Sequence, residues 1–328
     1  MQEFSLIERY CKNLGWRHSA TRIGVGDDAA VVQVPDNMDL AISVDTMVEG
    51  VHFTAQTSPQ SLACKLLAVN LSDMAAMGAR PKWATLAMTL PRIDESWLQS
   101  FSGALDKTAR HYKVQMIGGD TTRGSRVLSL QIMGLLAKGK GLTRSSARPG
   151  DDLYVSGTLG DPALALAGLQ SRVALTPADQ QQLLQTLETP QPQVELGMGL
   201  LNIANACIDI SDGLVGDLTH ICSASGVSIL VDVAKVPLST AYQRYRQAGG
   251  GFDFALSGGD DYQLAFTVEK KRSGEVINLA TQLGVTLTRI GTVLDAQAQP
   301  VVLQYKKRPY HLKTELGYQH FVNSEVPS

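Results

Sequence analysis

Aspartate is the residue type through which this sequence could do chemistry. The 328-residue chain holds 21 Asp among its 31 acidic residues, and nine of them fall in six short motifs beside Gly, Ser, Thr or an apolar run. These are GVGDD (Asp27, Asp28), AISVDT (Asp45), NLSDMAAMG (Asp73), IGGDTT (Asp120), IDISDG (Asp209, Asp212) and SGGDD (Asp260, Asp261). Turn and cap formation explains any one of these motifs, because Asp readily hydrogen-bonds its own backbone. Six together exceed what turns require. Two carboxylates about 4 Å apart repel by roughly 4 kcal/mol at an effective dielectric of 20, so converging Asp residues imply cations among them. Oxygen-only ligands point to Mg²⁺, held by one or two carboxylates per ion and completed by water and substrate phosphate, which is the arrangement of phosphoryl-transfer sites. The six His form no HExxH or other close pair, so zinc hydrolysis lacks its ligands. Neither GxxxxGK[ST] nor an HRD/DFG pair occurs, so ATP phosphates must be held differently. Backbone N–H groups of GGDTT and SGTLGD, with Arg123, Arg126, Arg144 and Arg148, are available for that task.

The elements that position these residues alternate. Strand signals at LAISVD, ATLAMTL, RVLSLQIMGLL, DLYVSG, CIDI, SILVDV, FALSG, YQLAFTV and VTLTRIGTVL lie between helical patterns, which predicts an α/β (α+β) fold. Several acidic motifs follow apolar runs directly and are expected at strand ends, where such folds gather ligand loops. The most legible helix starts after Ser58 as N-cap, with Pro59 first, and closes at Gly78. Leu62, Leu66, Val69, Asp73 and Met77 recur along it at helical spacing, which puts Asp73 on the core-facing stripe, where a carboxylate needs a partner cation.

Length predicts two domains. The Gly-, Ser- and Arg-rich stretch 139–150 reads as a linker between an N-terminal domain, 1–138, and a C-terminal domain, 151–328; TPQPQ at 189–193 reads as a loop inside the second. A net charge of −2 and scattered Lys and Arg exclude the basic footprint of a nucleic-acid binder. The acidic, amphipathic start and the lack of any long apolar run predict a cytoplasmic protein without membrane spans. Cys11, Cys64, Cys207 and Cys222 form no CxxC and read as reduced, buried thiols.

Taken in order, GVGDD, SVDTMVEGVHF, AVNLSDMAAMGA, GGDTTRG, LTRSSARPGD, IDISDGL and ALSGGDDYQL resemble the bacterial thiamine-monophosphate kinases, a branch of the aminoimidazole-ribonucleotide synthetase superfamily. The resemblance implies two α/β domains with ATP and metals in a cleft, and a homodimer formed through the N-terminal domains. It implies Mg²⁺ ligands at Asp28, Ser43, Asp45, Asp73, Asp120, Asp209 and Asp212, and ATP contacts at Gly119, Asp120, Arg144 and Ser211. It also implies thiamine monophosphate contacts at His52, Asp260 and Tyr318; His52 alone reads as a structural histidine. Many relatives carry Thr where Val44 stands and Glu where Asp260 stands, so Val44 offers no side-chain ligand and Asp260 a shorter reach.

The expected reaction is in-line transfer of the ATP γ-phosphoryl group to the phosphate of thiamine monophosphate. That acceptor is largely ionised near neutrality, so no general base is assigned. The rival readings are another ATP-using member of the superfamily, a two-metal phosphohydrolase using the same Asp set on water, and a non-catalytic thiamine phosphate or nucleotide binder. The C-terminal Cys of hydrogenase-maturation relatives is missing from NSEVPS.

Overall fold

A computed structural model describes residues 3–312. The elements of the first part of the chain are α1 (Glu3–Tyr10), β1 (Thr21–Ile23), β2 (Val31–Val32), β3 (Met38–Val48), α2 (Pro59–Met77), β4 (Arg80–Leu90), α3 (Glu95–His111), β5 (Gln115–Arg123) and β6 (Val127–Ala137). There follow β7 (Asp152–Ser156), α4 (Asp161–Leu169), α5 (Pro177–Glu188), α6 (Val194–Leu200), β8 (Ala206–Asp209), α7 (Leu214–Ser225), β9 (Val227–Asp232) and α8 (Thr240–Gln247). The last described elements are α9 (Asp253–Ser257), β10 (Leu264–Val268), α10 (Ser273–Leu283), β11 (Leu287–Asp295), β12 (Val301–Tyr305) and β13 (Arg308–Pro309). The chain is thus mixed α/β, as its alternation of patterns predicts.

Helix α2 begins and ends where its residues dictate. The Ser58 hydroxyl accepts the Ser61 amide, Pro59 fills the first turn, and Gly78 closes the helix at φ 69, a conformation costly for residues with a Cβ. Leu62, Leu66, Leu67 and Leu71 are fully buried along it, each contributing about 1.5–3 kcal/mol of transfer free energy. Asp73 is only half-buried, and Met77 is exposed.

Two compact units emerge, with a first switch between Thr143 and Arg144, inside the 139–150 stretch. The first unit also takes Glu188–Ala204, which the sequence reading assigns to the second domain. The reason is close packing: a Cβ on Gly197 of α6 would lie 1.9 Å from the Ala75 carbonyl oxygen of α2, so only glycine lets the two helices meet. Glu188 adds a hydrogen bond from Ser61 Oγ at 2.9 Å.

The first unit is built on a four-stranded sheet in the order β3-β6-β4-β5. β3 and β4 flank β6 antiparallel, and β5 pairs parallel with β4. α2 packs on β3, β6 and β4. The second unit carries a seven-stranded sheet, β13-β12-β9-β11-β7-β10-β8, whose interior strands β7 and β10 are buried along their whole length. Its core includes Leu153, Val155, Ile208, Leu218, Ile221 and Ala265.

Two expectations are corrected. FALSG forms the short helix α9, not a strand: Asp253 opens it, Gly258 closes it, and Ser257 Oγ donates back to the Asp253 carbonyl at 2.8 Å. Asp45 and Asp120 lie within strands β3 and β5 rather than in loops after them; only Asp209 ends its strand. Among the described residues, no helix is long and apolar enough to cross a membrane.

Candidate functional site

In the first unit, β3 runs beneath α2 and pairs two predicted ligands. Ser43 Oγ donates to Asp73 Oδ2, so the half-buried carboxylate has a hydroxyl donor beside it. Asp45 follows two residues along β3, so alternation of the strand sets it on the same face as Ser43, while Ile42 and Val44 turn to the other. Asp28 lies exposed ahead of β2, its amide bonded to Asp27 Oδ1 at 2.9 Å. The turn after β3 holds His52: the Val48 amide donates to its Nδ1 at 3.1 Å, which leaves the proton of the neutral ring on Nε2.

Gly119 and Asp120 occupy the opposite edge strand, β5, both exposed and aligned with Leu86 and Ala87 of β4. Four strands in the order β3-β6-β4-β5 put three spacings, about 14 Å, between the backbones of the Ser43 and Asp120 strands. The structure therefore joins Ser43 with Asp73 and keeps Asp120 apart from them. The glycine at 119 has a packing reason: a Cβ there would lie 1.9 Å from the Leu86 carbonyl oxygen. Arg126, a candidate phosphate-binding residue, is engaged by Glu49 at 3.2 Å and lies over the Trp97 ring.

In the second unit the ligand loops lie side by side. β8 ends at Asp209, buried, and the chain turns through Ile210–Gly213 into α7. Ile210 N donates to the Gln263 carbonyl at 2.7 Å, Tyr262 N to the Ile210 carbonyl at 2.7 Å, and Asp260 N to the Ser211 carbonyl at 2.8 Å. A Cβ on Gly213 would lie 2.7 Å from the Ser257 carbonyl carbon, and one on Gly259 2.4 Å from the Ser211 oxygen. The glycines of ISDG and SGGDD are thus demanded by each other's backbones. Asp260 and Tyr262 both adopt positive φ, 70° and 49°, the kind of backbone strain that clusters at ligand sites. The Tyr262 hydroxyl donates to Asp260 Oδ1 at 3.0 Å and fixes its direction. Arg144 is exposed, its carbonyl accepting from Ser225 Oγ at 2.7 Å.

Two buried carboxylates underlie these loops. Asp217 accepts from the amides of Ser211, Asp212 and Gly213, and Asp261 from the Gly160 amide at 2.8 Å. Burial pushes Asp217 up to about 7, with the Asp212 charge adding to the rise and the three amides opposing it. Burial likewise raises Asp261 well above the carboxylate range, helped by the charges of Asp161, Asp260 and Asp217. The sequence reading gave Asp217 and Tyr262 no role. Asp217 stands in no motif, and its only signal is an acid one turn into a helix that starts on a glycine.

The donors at hand fit Mg²⁺. They are carboxylate and hydroxyl oxygens in pairs, not a cage: among the described residues no three His, Cys, Asp or Glu are arranged to hold a metal. A cation that keeps most of its water and takes phosphate oxygens needs no more than such pairs. All four Cys are free; Cys207 and Cys222 are buried, as expected, whereas Cys11, in the turn after α1, and Cys64, on α2, are only half-buried because each position is partly open to solvent. Tyr318 lies outside the described residues.

Comparison with known proteins decides the family. Residues 26–136 match the N-terminal domain model of AIR synthase related proteins, and residues 148–304 the C-terminal one. The thiamine-monophosphate kinase of Escherichia coli K12 is 43% identical over 328 residues, covering 97% of this chain and 98% of the relative. The chain belongs to the thiamine-monophosphate kinase family. The crystal structure of the family's enzyme from Stenotrophomonas maltophilia K279a superposes with a TM-score of 0.83 at 40% identity, covering 90% of this chain and 93% of that one. A structure described as AaThiL complexed with AMPPCP and TMP superposes at 0.76 with 31% identity, over 90% and 92% of the two chains. The thiamine-monophosphate kinase likeness therefore includes both units and all the acidic motifs between residues 27 and 261.

Proposed function

We propose that this chain transfers the γ-phosphoryl group of ATP to thiamine monophosphate, forming thiamine diphosphate and ADP. The observation that carries the reading is the likeness to thiamine-monophosphate kinases along nearly the whole chain. Gly119 and Asp120, and Arg144 and Ser211, are the proposed ATP contacts. Asp28, Ser43, Asp45, Asp73, Asp120, Asp209 and Asp212 would hold Mg²⁺. The separation of Asp120 from the Ser43–Asp73 pair supports more than one ion. When bound, Mg²⁺ supplies charge neutralisation to the two polyphosphates.

The residues of the chain then bind and orient. Ser43 holds the Asp73 carboxylate in one rotamer. His52, oriented by the Val48 amide on its Nδ1, is a proposed contact to the acceptor phosphate. Asp260, aimed by Tyr262, offers negative charge to the cationic thiazolium of thiamine. Tyr318 is a further proposed substrate contact. An acceptor phosphomonoester has a second pKa of about 6 and is mostly dianionic at pH 7, so none of these side chains has to remove a proton. The proposed assembly is a homodimer, supported by the apolar Ile42 and Val44, which are 56% and 59% exposed on the sheet face opposite α2, where a second copy of the chain would sit. The absence of a spanning helix among the described residues fits a cytoplasmic location.

The test incubates the purified protein with ATP, Mg²⁺ and thiamine monophosphate, with free thiamine as parallel acceptor. Thiamine diphosphate from the monophosphate, and no product from thiamine, supports the reading. Unchanged ATP in both reactions overturns it.

A further inference from the structure

We propose that Asp217 is a positioning residue that holds the Ile210–Gly213 loop in the conformation presenting Asp209, Ser211 and Asp212 to nucleotide and metal. The inference rests on the kinase reading for what the loop binds; the geometry of the loop itself does not depend on it.

Asp217 is 3% exposed, one turn inside α7, and is not itself a proposed ligand. A single oxygen, Oδ2, accepts from three successive amides, Ser211, Asp212 and Gly213, each at 3.1 Å. A helix start is ordinarily capped by the side chain of its N-cap residue, but Gly213 has none to offer. The carboxylate reaches back from within the helix instead and turns the three amides toward itself. When Asp217 is ionised these bonds are charge-assisted and roughly twice as strong as neutral ones, so the carboxylate clamps the loop better than an isosteric neutral amide.

The clamp also has a second side. With the amides of Ser211, Asp212 and Gly213 bound to Asp217, the carbonyls of Ile210 and Ser211 accept from Tyr262 N and Asp260 N. The loop is therefore the middle layer of a stack, with Asp217 behind it and the SGGDD loop in front. Releasing the rear layer loosens both loops. A purely structural acid would contribute to the α7 start and to the core but leave ligand affinity unchanged; the two roles separate on measurement.

The experiment uses the full-length protein carrying Asp217→Asn, which keeps shape and removes the charge. Amide exchange is followed by mass spectrometry without ligand. Peptides over 209–216 and 258–263 are expected to exchange at least tenfold faster than in the wild type, while β10, Leu264–Val268, keeps its protection. In parallel, the Kd for the β,γ-methylene analogue of ATP with Mg²⁺ and the KM for ATP are each expected to rise at least tenfold, more than kcat falls. Unchanged loop exchange with β10 intact overturns the proposal, as does faster loop exchange with unchanged analogue affinity. If β10 loses protection in the Asn variant, Asp217→Glu, which keeps the charge but displaces the oxygen by one methylene, is read by the same criteria. Should the wild type bind no analogue and turn over no substrate, the kinase reading fails, and the exchange result still decides whether Asp217 holds the loop.

Discussion

Replacing Gly119 with Ala should destabilise the first unit before any effect on ATP is considered. The added Cβ would stand 1.9 Å from the Leu86 carbonyl oxygen, 2.8 Å from its carbon and 3.1 Å from its nitrogen, all backbone atoms of the neighbouring strand. Carbon needs about 3.5 Å, so the β4–β5 pairing would have to part by well over ~1 Å, and neither partner is a flexible side-chain end. The φ of 155° adds strain. Overpacking of a core typically costs 1–3 kcal/mol, and the rigid neighbour puts this case at the upper end, about 3 kcal/mol. For a unit of this size each kcal/mol lowers the melting temperature by about 2–4 °C, so a fall of roughly 6–12 °C is expected. Gly118→Ala is the internal control, since its Cβ would meet only Thr85 Cγ2 at an ordinary 3.7 Å. Scanning calorimetry of the three proteins makes the comparison. If Gly119→Ala melts within about 2 °C of both the wild type and Gly118→Ala, the packing explanation of the GGD motif is refuted.

Other consequences follow from the site. Asp73→Asn should lower kcat/KM at least 100-fold, about 2.7 kcal/mol of transition-state stabilisation, while thermal unfolding changes little because the side chain is half-buried; turnover within threefold of wild type would remove Asp73 from the metal set. Lysine at both Ile42 and Val44 places charge on the exposed sheet face, so light scattering should report twice the chain mass for the wild type and the chain mass for the variant. Burial pushes Cys11 and Cys222 up to about 11, so the thiolate of each is fully formed only as pH passes that value. Roughly one thiol in a thousand is ionised at pH 8, and iodoacetamide should label neither until the protein is denatured, which peptide mapping reads directly.

Local chemistry made part of this molecule legible in its sequence. Ser58, Pro59 and Gly78 announce the ends of α2 because capping is decided within a few residues. The same holds for the acidic loops of the second unit, where Gly213 and Gly259 mark a close backbone approach. What escaped depends on partners distant in sequence. Asp120 reads as following a strand, yet β5 continues past it because β4 supplies a parallel partner as far as Arg123. Glu188–Ala204 joins the first unit because Gly197 fits against Ala75, a contact between residues more than 100 apart in the chain. FALSG is apolar enough for either element, and its flanking Asp253 and Gly258 decide for a helix. Asp217 shows its value only once three amides are seen to converge on it.

The most direct test of the central claim follows the phosphorus atom. With ATP labelled in its γ-phosphate, Mg²⁺ and thiamine monophosphate, the label should appear in the terminal phosphate of thiamine diphosphate, with one ADP formed per diphosphate. Label released only as inorganic phosphate, with no thiamine diphosphate, would contradict the account and leave the acidic residues serving hydrolysis instead.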